Sequence, residues 1–530
     1  MKQWEVTRLG SKTIRFSHPQ STYIFDFCHS CTFDLNRPPD QDFLQKAEKV
    51  MKDTEKGLHV NGHEDRMAGQ FWLRNPDLAP DKEIGGAIKE AIQRCKGIAA
   101  AVHEGRICNE AGRPFRYLVV VGVGGSQLGF QFIARALAKD SFRLQPFSLD
   151  NTDPETVDML IRNIGPAHLA ETLFVMASKS GKTTEIKNSY KILEGVYAGL
   201  GLQFSKHAIA ITMADTELYH YAKSQGWLDI FPVWEWVGGR FSVLSPVGLL
   251  PLALLGMPVD SLLAGARAMD ELTRSTDYHE NPAMLLTHYL LMQSIDQKKQ
   301  NMVVLPYKDR LELWGRFLQQ LFMESLGKTL EKEGSSQCFG LTVYGNKGTT
   351  DQHSYIQQLL AGHNDFFVLF FSVLQQAGEV QQRVVEEGGI TMGDYLLAFC
   401  HGTMKAMAKQ GRESMLITLD KLDPFSLGGL VALFERVVGY YAACVGINPY
   451  DQPQVEEGKR SANDIIRLKK KLNSLLENGD GQQSKDALCL EYLQQSFLPG
   501  EYNVLYYLLH QMKEAGQVSI EQAELDKLLR

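Results

Sequence analysis

Twice between residues 117 and 200 a short apolar run passes directly into a glycine- or serine-rich turn and then into a helical pattern. Residues 118–121, LVVV, lead into GVGGSQLG and a helical stretch to residue 138. Residues 173–177, LFVMA, lead into SKSGKTTE and a helical stretch to residue 193. Continuous β-branched runs of this length read as strands buried on both faces, which occur in parallel sheets covered by helices. Residues 207–213 supply a third strand of the same kind. A second series follows a helical stretch at 258–297, with strands at 302–305, 341–344 and 366–371 and helices over 311–328 and 354–360. Strands alternating with turns and helices limit the chain to an α/β architecture. The two series share a design without a sequence repeat. Residues 1–110 read mostly as helices and loops, and residues 460–530 as charged helix with a loop at 478–484.

A chain of 530 residues exceeds one ordinary core, so two or three domains are expected. The net charge is −7, and the longest basic run is Lys469-Lys470-Lys471, which leaves no nucleic-acid footprint. No apolar run has the length of a membrane span, and the first residues, MKQWEVTRLGSKTIRF, lack the apolar centre of a signal peptide. A cytoplasmic protein is expected. The eight cysteines do not suggest a disulfide framework. Cys28 and Cys31 form one C-x-x-C pair with no second ligand pair nearby, so packing is expected there rather than metal or redox use.

Three turns and one helix are candidates for chemistry. GVGGSQLG lacks the third glycine of a dinucleotide fingerprint, since Gln127 stands in its place. Contact of Gly125 and Ser126 with a sugar or phosphate fits better. SKSGKTTE places Ser178, Ser180, Thr183 and Thr184 between a strand and a helix, with Lys179 and Lys182 among them. Hydroxyls and helix N-terminal amides together suit a phosphate, and a serine-rich helix cap is the alternative. Gly181-Lys182-Thr183 resembles the end of a nucleotide-binding P-loop, but Met176 occupies the required first glycine. GGRFSVLSPVG, residues 238–248, presents Arg240 on a glycine turn and reads equally as an anion site or a structural turn. In the helix over 311–328, Gln320 and Glu324 share one face. Glu324 in its apolar surround reads as a general base or as a salt-bridge partner of Lys328. His353 in DQHSYIQQ and Lys459 at the end of DQPQVEEGK carry no signal alone.

Taken together, GVGGSQLG, SKSGKTTE, GGRFSVLSPVG, MESLGK, DQH and DQPQVEEGK resemble, in order and spacing, the glucose-6-phosphate isomerase family over residues 116–459. GHEDRMAGQFWLRN, residues 62–75, is similar to a further segment of that family. The resemblance implies two sugar-isomerase-type three-layer α/β/α domains with parallel-rich sheets, at residues 111–257 and 258–460. A helical N-terminal segment (1–110) and a C-terminal helical arm (461–530) complete the expected division. It implies a homodimer with the active site at the subunit interface and a sugar-phosphate substrate, glucose 6-phosphate exchanging with fructose 6-phosphate, with no metal or organic cofactor. It implies Glu324 as the base, Arg240 as the group that steadies the enediolate, and His353 and Lys459 as ring-opening residues. Gln320, Gly125 and Ser126 would meet the sugar, and Ser178, Lys179, Ser180 and Thr183 the phosphate. Glu185 would assist ring opening. Acceptance of mannose 6-phosphate is a close variant. A sugar-phosphate sensor on the same fold would need only the phosphate loop, and the joint presence of Glu324, Arg240, His353 and Lys459 speaks against it.

Overall fold

A computed structural model describes residues 3–58, 60, 65–138, 142–332, 335–376, 378, 380, 382–478 and 502–527. The chain forms two units, Met1–Asp451 and Gln452–Arg530.

The first unit holds two sheets. One has five strands in the order Gln145–Leu149, Tyr117–Val121, Thr172–Ala177, Ala208–Thr212, Asp229–Pro232, all parallel. The central strand is buried at every position. Its two edge strands contain Pro146 and Pro232, residues that an interior ladder does not accept. Neither edge strand was expected from the sequence, because both are short and lack a continuous apolar run. Alternate side chains of this sheet enter two different cores: Val119, Val121, Phe174 and Met176 face one, Leu118, Val120, Leu173 and Val175 the other. Helices therefore cover both faces.

The second sheet has seven strands in the order Glu5–Arg8, Thr13–His18, Ser21–Asp26, Ser414–Leu419, Phe366–Val373, Asn301–Pro306, Thr342–Tyr344. The last four are mutually parallel, and Ser21–Asp26 joins them antiparallel through Ser414–Leu419. This sheet too divides its side chains, with Met302, Val304 and Phe367 in the core shared with the first sheet and Val303, Leu305 and Phe366 in a separate one. The fold is the expected α/β class with parallel-rich, helix-covered sheets.

The expectation of helices and loops for the first 110 residues is corrected at its start. Residues 5–26 form three antiparallel strands. Ile14 and Phe16, then Tyr23, Phe25 and Phe27, are buried at alternate positions while their neighbours face outward. That period-two alternation marks strands with one covered face. Helices Gln41–Glu55 and Lys82–His103 follow as expected.

Helix Pro424–Val445 is long and apolar enough to cross a membrane by length and composition, and 89% of its most apolar window is buried within the protein. It starts with Asp423 and Ser426 in a capping box and Pro424 at its first position. The second unit consists, among the described residues, of helices Val455–Asn478, Tyr502–Glu514 and Gln522–Lys527 around Leu472, Leu509, Met512 and Leu525. The loop expected at 478–484 lies, beyond Asn478, outside the described residues.

Candidate active site

The two glycine turns of the first sheet meet each other. A side chain at Gly125 would place its Cβ 2.1 Å from the Gly239 carbonyl carbon and 2.7 Å from the Arg240 nitrogen. Only glycine allows that approach. Ser242 Oγ seals the junction, donating to the carbonyls of Gly239 (2.7 Å) and Gly125 (3.2 Å). Gly239–Phe241 is a single 3-10 turn, and Ser245 then caps helix Pro246–Leu254. The glycine-rich stretch thus packs one backbone turn on another and sets Arg240, only 3% exposed, between them and helix Trp314–Leu326.

Arg240 reaches that helix at two consecutive residues. Its Nε donates to Ser325 Oγ at 2.5 Å, and its Nη1 lies 3.5 Å from Glu324 Oε1. Gln320 Nε2 donates to the other carboxylate oxygen of Glu324 at 2.9 Å, as their shared helix face requires. The Gln320 amide also lies beside Gly124, whose φ of +57° is one that glycine adopts without strain. The Glu324 side chain is 24% exposed, against 1% for Arg240. A carboxylate open to solvent faces a buried guanidinium held on a fixed scaffold.

The alternative of a Glu324–Lys328 salt bridge is resolved by the position of Lys328. Its ammonium donates to the backbone carbonyl of Glu324 (3.1 Å) and turns to Asp451, meeting the carbonyl at 2.7 Å and Oδ1 at 3.2 Å. The helix expected to run to residue 328 ends at Leu326, before Gly327.

In the serine-rich loop, Ser178 Oγ and Thr183 Oγ1 are 2.7 Å apart. Thr183 stands at the N-cap of helix Thr184–Gly199 yet makes no side-chain capping bond, so the helix-cap reading does not describe its hydroxyl. Gly181 has φ +65° and presses on Thr216, where a Cβ would sit 2.5 Å away. Ser180 is exposed and accepts from the Lys182 amide at 3.3 Å. The Lys179 ammonium donates to the carbonyls of Glu235 (2.7 Å) and Val237 (2.8 Å), tying this loop to the strand exit that carries Gly238 and Arg240. Glu185 lies in the first helical turn and Ser126 in the 3-10 turn Gly124–Ser126. Amides at a helix start and paired hydroxyls are donors of the kind that suit an anion.

His353 is exposed at the end of the turn Thr350–His353. Its neighbours fix that turn. Buried Asp351 accepts from Tyr355 OH (2.5 Å), Asn346 N (2.9 Å) and Lys347 N (3.1 Å), and Gln352 donates to Tyr307 OH at 3.1 Å. Among the described residues no hydrogen bond or ion pair joins His353 to Arg240, Gln320 or Glu324. Lys459 lies near the start of helix Val455–Asn478 in the second unit. Within residues 62–75, positions 62–64 lie outside the described residues. Arg74 is fully buried in ion pairs with Asp270 and Glu435. Cys28 and Cys31 are free and exposed. Among the described residues no group of three or more His, Cys, Asp or Glu side chains is placed to hold a metal ion.

Sequence reasoning missed Ser325, Lys328 as a ligand of Asp451, and the turn at 448–451. Ser325 and Lys328 stand in MESLGK and Asp451 opens DQPQVEEGK, but local sequence carries no signal that joins the two motifs.

The model of the phosphoglucose isomerase family matches residues 40–395 and 401–488. A glucose-6-phosphate isomerase of Geobacter sulfurreducens is 47% identical over 457 residues, covering 85% of this chain and 86% of that protein. One of Desulfitobacterium hafniense strain Y51 is 45% identical over 449 residues, covering 83% and 84%. Among solved structures, a glucose-6-phosphate isomerase from Chlamydia trachomatis superposes with a TM-score of 0.74 at 25% identity, over 84% of this chain and 88% of that one.

Proposed function

The chain belongs to the phosphoglucose isomerase family, whose reaction is the interconversion of glucose 6-phosphate and fructose 6-phosphate, and we propose that it performs this reaction with Glu324 as its base and Arg240 as its charge-stabilising partner. The observation that carries the residue assignment is the pairing of a solvent-open carboxylate with a buried, fixed guanidinium 3.5 Å away.

Aldose–ketose exchange moves one proton between adjacent carbons. Glu324 takes the proton from C2 and returns it to C1, so one base serves both halves. Between them the substrate is a cis-enediolate with negative charge on oxygen. A guanidinium fixed in advance stabilises that charge more than it stabilises the neutral substrate, and this difference accelerates the step. Gln320 orients the carboxylate through its 2.9 Å hydrogen bond, and Gly125 and Ser126 line the sugar.

Ser178, Ser180, Thr183 and the start of helix Thr184–Gly199 hold the phosphate, with Lys179 tying that loop to the arginine turn. His353, Lys459 and Glu185 serve ring opening, which needs one oxygen deprotonated and the ring oxygen protonated. The exposure of His353 on a braced turn, with no bond to Glu324, supports a site completed by a second copy of the chain. On the same reading residues 111–257 and 258–460 are the two sugar-isomerase domains, flanked by segments 1–110 and 461–530, and the homodimer works in the cytoplasm.

The test uses two variants. Glu324→Gln should bind sugar phosphate but lose turnover and C2 proton exchange in deuterated water by roughly 10²–10⁴-fold. Unchanged turnover would refute the base. Glu324→Gln mixed with inactive His353→Ala and allowed to exchange subunits should regain part of the activity, since a hybrid dimer contains one intact pair. No recovery from verified hybrids would place both groups in the same chain.

A further inference from the structure

The rate of a reaction of this kind depends on how firmly the guanidinium is aimed, and several buried oxygens aim Arg240. Nε donates to Ser325 Oγ, and Nη2 donates to the carbonyls of Pro449 and Asp451, the latter at 3.1 Å. Ser325 is fully buried and directly follows the base. Asp451 is 2% exposed, and its Oδ2 accepts from Asn448 Nδ2 at 3.1 Å. The Ser325 hydroxyl and the Pro449 and Asp451 carbonyls are neutral, so they orient Arg240 without cancelling its charge, and the carboxylate that pairs with it is that of Glu324.

Lys328 joins the set together. Its side chain is 11% exposed, and three oxygens meet its ammonium: the Glu324 carbonyl at 3.1 Å, the Asp451 carbonyl at 2.7 Å and Asp451 Oδ1 at 3.2 Å. The two carbonyls take two of the ammonium's three N–H donors, and Asp451 Oδ1 adds an ion-pair contact. The Glu324 carbonyl belongs to the last turn of its helix, where carbonyls lack intrahelical partners. The Asp451 carbonyl is the same one that Arg240 uses. Burial draws the pKa of Lys328 below its ordinary value, against the opposing pull of Asp451.

We infer that Lys328 is a positioning residue for the isomerisation: by holding the Glu324 turn and the Asp451 carbonyl at one point, it sets the spacing of base and guanidinium before substrate arrives. This inference rests on the roles proposed above for Glu324 and Arg240. The ammonium touches neither the carboxylate oxygens of Glu324 nor the guanidinium itself. Its effect passes through two backbone carbonyls, one on each partner's support.

The experiment compares Lys328→Met with the double variant Lys328→Gln/Asp451→Asn. The second removes both charges together, so no lone carboxylate stays buried if the first fails to fold. In the folded variant, kcat should fall roughly 10- to 100-fold, the scale of a misplaced reacting group, with KM for glucose 6-phosphate changed by no more than about threefold. Affinity for a planar open-chain hydroxamate of the sugar phosphate, a mimic of the enediolate, should weaken in proportion to kcat/KM. A stabilising role alone would lower the melting temperature and leave both kcat and that affinity near wild type, and such a result overturns the inference. So does a fall in kcat with the mimic's affinity unchanged. Arg240→Ala is measured beside them. If it too leaves the mimic's affinity unchanged, the role of Arg240 fails first and the positioning of Lys328 falls with it.

Discussion

Two arginines of this protein are buried beside carboxylates, and they are held in opposite ways. Arg74 is shut in by charge. Its Nε and Nη2 grip both oxygens of Asp270 at 2.5 and 3.0 Å, its Nη1 meets Glu435, and all three side chains are at most 1% exposed. Arg436 adds a second guanidinium on Asp270 at 2.8 Å, and both arginines lie over the Phe71 ring, at 5.2 and 4.6 Å. Arg240 is held on its anchored edge by a hydroxyl and two carbonyls, and the carboxylate it faces is 24% exposed. Carboxylates neutralise a guanidinium and neutral oxygens only aim it. The first arrangement ties together residues 74, 270 and 435 of the fold. The second keeps a directed positive charge for an oxyanion that exists only during reaction.

The largest effect that separates the two comes from exchanging their consequences. Arg74→Met should destabilise the fold by about 3–5 kcal/mol, because it leaves Asp270 and Glu435 buried without their shared partner. Denaturant titration measures it, and a folded, stable Arg74→Met would break the contrast. Arg240→Ala should cost less stability than Arg74→Met, because the acceptors it strands are neutral rather than charged, and lower kcat by roughly 10²–10³-fold, far more than it raises KM. A pure KM effect would return the glycine–arginine turn to a ground-state anion site. A smaller, differently shaped effect belongs to the phosphate loop. Ser178→Ala combined with Thr183→Ala should raise KM by about 10-fold or more with kcat little changed, as expected for lost hydrogen bonds to a charged group. A kcat-dominated loss would place those hydroxyls nearer the chemistry.

Parallel strands such as Thr172–Ala177 and Phe366–Val373 were legible as continuous apolar runs, and both are covered at every position; Ser414–Leu419, equally buried and paired parallel to Phe366–Val373, was not expected. The glycine and serine turns directly follow two of the apolar runs, so their place at the strand ends could be read as well. The second and third strands of the chain, Thr13–His18 and Ser21–Asp26, carry a weaker signal, alternation over six residues or fewer, which a helix-and-loop reading passes over. Strands Gln145–Leu149 and Asp229–Pro232 are short, proline-containing edges. Within the site, Gln320 and Glu324 were legible from helical spacing and Arg240 from its turn. Their supports were not. Ser325 meets Arg240 across 85 positions of sequence, and Lys328 meets Asp451 across 123. Arg74 meets Glu435 across 361. No local pattern encodes such pairs, because the fold alone brings them within reach.

The smallest predicted effect tests whether the Arg74 network is fully neutralised. Glu435 has one oxygen on Arg74, and its other oxygen, Oε1, has no hydrogen-bond partner. Burial raises its pKa from the ordinary 4.5 to about 7, and Asp270 adds to the rise. The nearby guanidinium groups of Arg74 and Arg436 oppose it. The native state therefore holds this proton at pH values where the unfolded chain has released it. Where the native state binds more protons, stability falls as pH rises. The contribution of Glu435 is complete below about pH 4.5 and is lost progressively toward pH 7. Asp270 acts in the opposite sense, since Arg436 and Arg74 outweigh burial and hold its pKa below 3.8, so its contribution is lost only in stronger acid. Between about pH 5 and 7 Glu435 contributes a falling slope, while His288, whose pKa burial lowers to about 4, contributes a rising one over part of the same window. Glu435→Gln should remove the falling part, so that unfolding free energy relative to wild type rises across that window by a total on the order of 1–3 kcal/mol. The pH dependence of kcat should keep its shape, because Glu435 takes no part in the Arg240 site. An unchanged stability slope in the variant would mean that Glu435 is ionised throughout, and that the Arg74 network is as completely charge-paired as its geometry at Asp270 suggests.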